Sequence, residues 1–221
     1  MAAAGKSRLT PAAASRLCLA AFLLLVAPAC SDRDRFKPLP AGSTVLAFGD
    51  SVTAGVGADG GGGYPARLAA ATGWTVVNGG LSGDTARTAG RRLGPLLAAH
   101  QPALVIIELG GNDFLRQTPA ARVLASLQGI IREASASGAV VALVAVPRLS
   151  LLRASLGALA DSPIYAELAD EEGVLLIPDV FSEVLSDPEL RADEIHPNPP
   201  GYERLAAGIL AVLQEAGLAV K

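Results

Sequence analysis

Apolar positions along the chain fall into two patterns. Five runs are continuous rather than alternating: Thr44–Phe48 (TVLAF), Thr75–Asn78 (TVVN), Leu104–Leu109 (LVIIEL), Val140–Val146 ending before Pro147, and Val174–Ile177 (VLLI). Runs this short and this apolar suit strands buried on both faces. The segments between them carry helical spacing instead. Tyr64–Thr72 is Ala-rich, Ala86–His100 repeats Leu93, Leu96 and Leu97, and Pro119–Ser137 opens on Pro and closes before Gly138. Two more helices are predicted over Pro163–Glu172 and Tyr202–Ala216. Strand–helix alternation at this spacing predicts an α/β domain, a three-layer sandwich with a five-stranded, mainly parallel sheet. Such sheets place their sites at the C-terminal ends of the strands.

The first 42 residues do not share this pattern. Lys6, Arg8 and Arg16 precede the apolar run Leu17–Ala29, which has the layout of a secretory signal peptide. The run is shorter than the roughly 20 residues a membrane-spanning helix requires. Ala29-Cys30 resembles a bacterial lipoprotein processing site, so residues 1–29 are expected to be a signal peptide and Cys30 a lipidation site. Residues 30–42, polar and Pro-containing, read as a tether that is lipidated or free, with the folded domain over 43–221. An exported protein held in the periplasm or cell envelope, and anchored to a membrane if Cys30 is acylated, is the expectation.

Composition narrows the function classes. The chain has 221 residues, 51% of them hydrophobic and 18% charged, enough to bury a core and too apolar for overall disorder. Loss of residues 1–29 removes three basic side chains and no acidic ones, which moves the net charge from −3 to −6. An acidic domain gives no electrostatic case for nucleic acid. The two cysteines, Cys18 and Cys30, both lie before the fold, so neither a disulfide framework nor a Cys-based metal site is expected.

Polar residues collect where the strands end. The first strand runs into Gly49-Asp50-Ser51, where a glycine permits a sharp turn and a serine hydroxyl is exposed at the sheet edge. The second leads to Asn78–Thr85 (NGGLSGDT), in which Gly83 lets a backbone N–H approach a ligand and Asp84 or Thr85 can cap the next helix. The third leads to Gly110-Gly111-Asn112-Asp113, and Asn112 supplies a neutral amide donor suited to an oxyanion. Before the last helix stands Asp193-Glu194-Ile195-His196-Pro197. A carboxylate three residues ahead of an imidazole can hold its Nδ1–H and leave Nε2 free as a base. The other histidine, His100, reads as a helix-end residue. Gly60–Gly63 reads as a loop insertion; no Gly-Lys-Ser/Thr follows, so it is not a phosphate-binding loop.

In this order the four blocks GDS, SGDT, GGND and DxxHP resemble the SGNH (GDSL-type) esterase and lipase family, particularly its bacterial thioesterase, lysophospholipase and arylesterase branch. The likeness spans the chain from about Thr44 to the final helix. It implies the SGNH hydrolase fold, a flavodoxin-like sheet in strand order 2-1-3-4-5. It also implies Ser51 as nucleophile, His196 as its base and Asp193 as the acid orienting His196, while Glu194 lacks the backward reach. The Ser51 and Gly83 backbone N–H groups and the Asn112 side chain would form the oxyanion hole. Asp50 and Asp113 are expected to shape their turns. The implied chemistry is cofactor-free and metal-free two-step acyl transfer on small-molecule or lipid esters and thioesters. Phe114, Leu115 and Leu149–Leu152 are candidates for an acyl-chain groove. Carbohydrate or peptidoglycan O-acetyl ester hydrolysis is the alternative within hydrolases, and a non-catalytic lipid-anchored binding protein the alternative outside them. A flavin or nucleotide binder lacks its Gly-rich fingerprint here.

Overall fold

The computed structural model describes residues 36–60, 62–148 and 159–220. The leader, Cys30, the first part of the tether and Leu149–Leu152 lie outside the described residues.

Five strands form one sheet: β1 (Thr44–Gly49), β2 (Thr75–Gly80), β3 (Leu104–Glu108), β4 (Val140–Val144) and β5 (Leu175–Ile177). They are ordered β2-β1-β3-β4-β5, and every pairing is parallel. The predicted apolar runs became strands because helices cover both sides. Val45 through Phe48 and Leu104 through Ile107 are each 0% exposed, so no position faced water and no alternation was needed. Among the described residues the α-helices are α1 (Ser51–Ala54), α2 (Tyr64–Thr72), α3 (Ala86–His100), α4 (Gly111–Leu115), α5 (Ala120–Ala136), α6 (Ile164–Glu172), α7 (Val180–Ser186) and α8 (Pro199–Glu215). Helices α3, α5 and α6 pack together as one layer, and α2, α7 and α8 as the other.

Several boundaries depart from the sequence expectations. β2 continues two residues past Asn78, because Gly79 and Gly80 still pair with Phe48 and Gly49. The last helix begins at Pro199 rather than Tyr202: Asn198 Oδ1 accepts the Gly201 N–H at 2.9 Å, and proline suits the first helical turn. α1, α4 and α7 were not anticipated. All three are too short to display a 3.6-residue apolar period.

The end of the expected tether is also bound to the fold. The Leu39 N–H donates to Leu218 O at 2.9 Å, the Gly42 N–H to Gly73 O at 2.8 Å, and Trp74 Nε1 to Leu39 O at 3.3 Å. Phe36 and Leu39 pack against the core, so the folded unit begins before Ser43.

One glycine controls how β1 delivers the chain to α1. A Cβ at Gly49 would overlap the Thr53 side chain and come within 2.5 Å of Glu108 O. Gly49→Ala is therefore expected to lower stability by about 1–3 kcal/mol, as overpacking does, measured by urea unfolding. An unchanged midpoint would show that the turn has room to relax.

Candidate active site

The sheet brings the polar blocks to one edge. Ser51 opens α1 directly after β1, and Asp50 caps that turn by accepting the Val52 N–H at 3.1 Å. The loop before α8 is closed on itself, with the Ala192 N–H donating to His196 O at 2.9 Å and Asn198 Nδ2 to Glu189 O at 2.8 Å. It is tied across to the Ser51 side by the Tyr202 hydroxyl, which donates to Val56 O at 2.7 Å. The outcome is a continuous polar chain. His196 Nε2 lies 3.0 Å from Ser51 Oγ, and His196 Nδ1 lies 2.8 Å from Asp193 Oδ2 and 3.0 Å from Oδ1.

Asp193 is itself anchored by the backbone of its own turn. Its Oδ1 accepts the backbone N–H groups of Ile195 and His196, both at 2.8 Å. Partial burial opposes its charge, but the His196 hydrogen bond, those backbone donors and the nearby imidazole outweigh it and keep the carboxyl below its ordinary range. Glu194 is exposed. His100 is exposed at the C-terminal end of α3, just ahead of the start of β3 and so at the far edge of the sheet.

The expected oxyanion donors come from three strand ends. Gly83 has φ +84, a conformation glycine adopts without strain, and a Cβ there would meet nothing within 4 Å. Its carbonyl accepts from Arg116 Nη2 at 3.0 Å. Asn112, in α4, has its amide engaged inside the protein: Nδ2 donates to Asp50 Oδ2 and to Asp84 O, both at 3.0 Å. Its orientation is thus fixed by Asp50, a role beyond turn shaping that sequence reasoning did not assign. Asp113 reaches away from its own turn: its Oδ2 accepts the Ala86 N–H at 2.8 Å at the start of α3, 27 positions earlier. Thr85, not Asp84, caps that helix, exchanging hydrogen bonds with Thr88.

A pocket of about 20 Å³, room for about one water, sits beside Ser51 and is lined by Val52, Asn112, Leu115, Phe181 and Ile195 among others. Phe114 turns away from it, edge-on to Tyr165 with ring centroids 6.4 Å apart. Val56, Leu81 and Leu115 are exposed large apolar side chains among the described residues, and each lies in a segment flanking Ser51, Gly83 or Asn112.

The GDSL-like lipase/acylhydrolase family model matches residues 47–204. The chain belongs to this family. It is 35% identical over 184 residues to esterase TesA of Pseudomonas aeruginosa, spanning 79% of this chain and 89% of that protein. It is 37% identical over 179 residues to thioesterase 1/protease 1/lysophospholipase L1 of Escherichia coli K12, spanning 79% and 85%. A crystal structure of TesA matches with a TM-score of 0.68 at 33% identity, over 79% of this chain and 99% of that one. AlinE4, an SGNH-hydrolase family esterase, matches with a TM-score of 0.60 at 30% identity, over 80% and 98%. The chain is an enzyme, a carboxylic ester hydrolase of the GDSL type.

Behind Ser51 this GDSL enzyme buries a second carboxyl that sequence reasoning passed over. Glu108, the last residue of β3, is 1% exposed. Its Oε2 accepts from Thr53 Oγ1 at 3.1 Å, and Thr53 Oγ1 lies 2.9 Å from the Tyr64 hydroxyl. The available signal was a lone acid inside an otherwise apolar strand. Burial, and then the adjacent Asp50 charge, hold Glu108 well above the usual carboxylate range. Burial likewise pushes Asp50 up to about 6, against the Val52 and Asn112 hydrogen bonds.

Both carboxyls bind protons more tightly folded than unfolded. Their contribution to stability is full below the unfolded values near 4 and is lost as pH rises, through about 6 for Asp50 and beyond the ordinary range for Glu108. Glu108→Gln keeps the shape and removes one of these protons. Its melting temperature is expected to fall less than that of the wild type between about pH 5 and pH 8. A fall as steep as the wild type's would show that Glu108 is not the group that takes up the proton.

Proposed function

We propose that this enzyme hydrolyses carboxylic esters and thioesters through an acyl-enzyme on Ser51. The observation that carries the reading is the unbroken contact Asp193–His196–Ser51, with Nε2 3.0 Å from the hydroxyl and Nδ1 2.8 Å from the carboxylate. His196 takes the Ser51 proton as Oγ attacks the carbonyl carbon. Asp193, ionised and anchored by backbone donors, holds the imidazole in the tautomer with a free Nε2 and stabilises the imidazolium that forms. We assign the Ser51 and Gly83 N–H groups to the developing oxyanion, joined by the Asn112 amide once one of its two N–H groups leaves Asp50 Oδ2 or Asp84 O. The tetrahedral intermediate collapses as His196 returns its proton to the leaving alkoxide or thiolate. Water, deprotonated by His196, then attacks the acyl-enzyme and releases the acid.

The substrates we assign are acyl, lysophospholipid or aryl esters. The apolar side chains of Val56, Leu81 and Leu115 around the site, and the names of the relatives, support them. A structural neighbour favours a second reading, hydrolysis of O-acetyl groups on carbohydrate. An acetylxylan esterase from Geobacillus stearothermophilus has a similar fold, with a TM-score of 0.63 at 25% identity. We also assign the chain to the cell envelope through acylation of Cys30.

Fluorophosphonate treatment is expected to add one adduct by intact mass, absent in Ser51→Ala. Ser51→Ala and His196→Ala should both lose ester turnover while keeping a cooperative melt. Asn112→Ala should lower kcat by about 10²-fold with little change in KM. No adduct on folded wild type would overturn the acyl-enzyme. Turnover of a p-nitrophenyl ester series that rises beyond acetyl supports the acyl-ester reading; activity confined to acetyl supports the deacetylase. A mature N-terminus at Cys30 carrying acyl mass is expected, and an unmodified N-terminus elsewhere would end the anchor assignment.

A further inference from the structure

We infer that Arg92 is a positioning residue for the oxyanion hole, one guanidinium that fastens the ends of β1 and β2 together and, through Asp84, bears on the Asn112 amide that follows β3. The inference rests on the hole assigned above and adds to it a residue lying outside all four sequence blocks.

Arg92 sits in the second turn of α3, facing the edge of the sheet. Its Nε donates to Asp84 Oδ2 at 2.6 Å, its Nη1 to Gly79 O at 2.5 Å and its Nη2 to Gly49 O at 2.8 Å. Its guanidinium carbon stands 4.5 Å from the centre of the Phe48 ring, a cation–π contact on a fully buried aromatic side chain. Only 24% of the Arg92 side chain is exposed, so these charge-assisted bonds form largely out of water.

Each acceptor leads directly to an oxyanion donor. Gly49 is separated from Ser51 by Asp50 alone, and its carbonyl also accepts the Leu81 N–H at 3.1 Å, which draws the Gly83 loop onto the end of β1. Asp84 follows Gly83 in the chain, and the Asp84 N–H turns back to Leu81 O at 3.1 Å. The Asp84 carbonyl receives Asn112 Nδ2 at 3.0 Å. Gly79 belongs to the end of β2 that feeds the loop. The guanidinium therefore fixes the Ser51 turn, the Gly83 loop and, through Asp84, the Asn112 amide against one another.

The geometry calls for arginine in particular. Three acceptors around one planar group match the fork of a guanidinium, whereas a lysine ammonium is a single charged point on a flexible stem. Arg92 touches neither Ser51 nor His196, so its effect on the reaction is through placement of donors. Placement errors near 1 Å can cost about 10²-fold in rate.

The test compares Arg92→Lys and Arg92→Ala with wild type, Ser51→Ala and Asn112→Ala on a p-nitrophenyl ester, with thermal melts for each. Expected is a fall in kcat of about 10–10²-fold in both Arg92 variants with KM changed by less than about twofold. Added methylguanidine is expected to restore part of the Arg92→Ala rate. In an Asn112→Ala background, Arg92→Lys should cost markedly less than it does alone, because both changes act on the same donors. Unchanged kcat in folded variants, a rise confined to KM, additive effects in the double variant, or failure of both Arg92 variants to fold would each overturn the inference. Turnover that survives in Ser51→Ala would instead remove the acyl-enzyme reading, whatever Arg92 does.

Discussion

The turn from β1 into α1 must pass so close to its neighbours that position 49 has no room for a side chain. Glu108 O and the Thr53 side chain occupy the space a Cβ would take, and the Gly49 carbonyl is at the same time the acceptor for Leu81 N–H and Arg92 Nη2. Bare backbone at this point lets α1 settle against β3 and lets the β2 loop close over β1. The placement of Ser51, Gly83 and Asn112 relative to one another depends on that closeness.

Charge is handled with the same economy of distance. Short carboxylates act as staples for exposed ends of backbone: Asp50 accepts from Val52, Asp113 from Ala86, and Asp193 from Ile195 and His196. Two deeply buried acids, Asp50 and Glu108, lie together behind the Ser51 turn: Asp50 accepts the Val52 N–H and Glu108 the Thr53 hydroxyl. Removing such groups from water raises their proton affinity, which makes the region sensitive to pH. Asp193 is different: it is partly exposed and rich in donors, so it remains ionised beside the imidazole it orients.

Much of this was legible in the sequence, because much of it is local. Continuous apolar runs marked the strands, since a parallel sheet covered by helices leaves no wet face to force alternation. The Asp193–His196 contact spans three residues and follows from one turn of chain. The helix-end place of His100 is local as well, and the cap of α3 was narrowed to Asp84 or Thr85. The short helices were not legible, because α1, α4 and α7 are set by packing and capping rather than by periodicity. Nor was the attachment of Phe36–Gly42, a polar-looking stretch whose Phe36 and Leu39 find the core.

What the tertiary structure alone decided is which distant groups meet. Ser51 and His196 are 145 positions apart, and Asn112 reaches back 62 to Asp50. Their order in four blocks pointed to a family, but no spacing rule could place them within hydrogen-bonding distance. Arg92 and Glu108 show the limit most clearly. Arg92 belongs to none of the four blocks and Glu108 is a lone acid in an apolar run, and each takes its meaning from acceptors and donors elsewhere in the fold. Side-chain periodicity and capping are written into neighbouring residues, whereas convergence at the sheet edge arises only when five parallel strands end together.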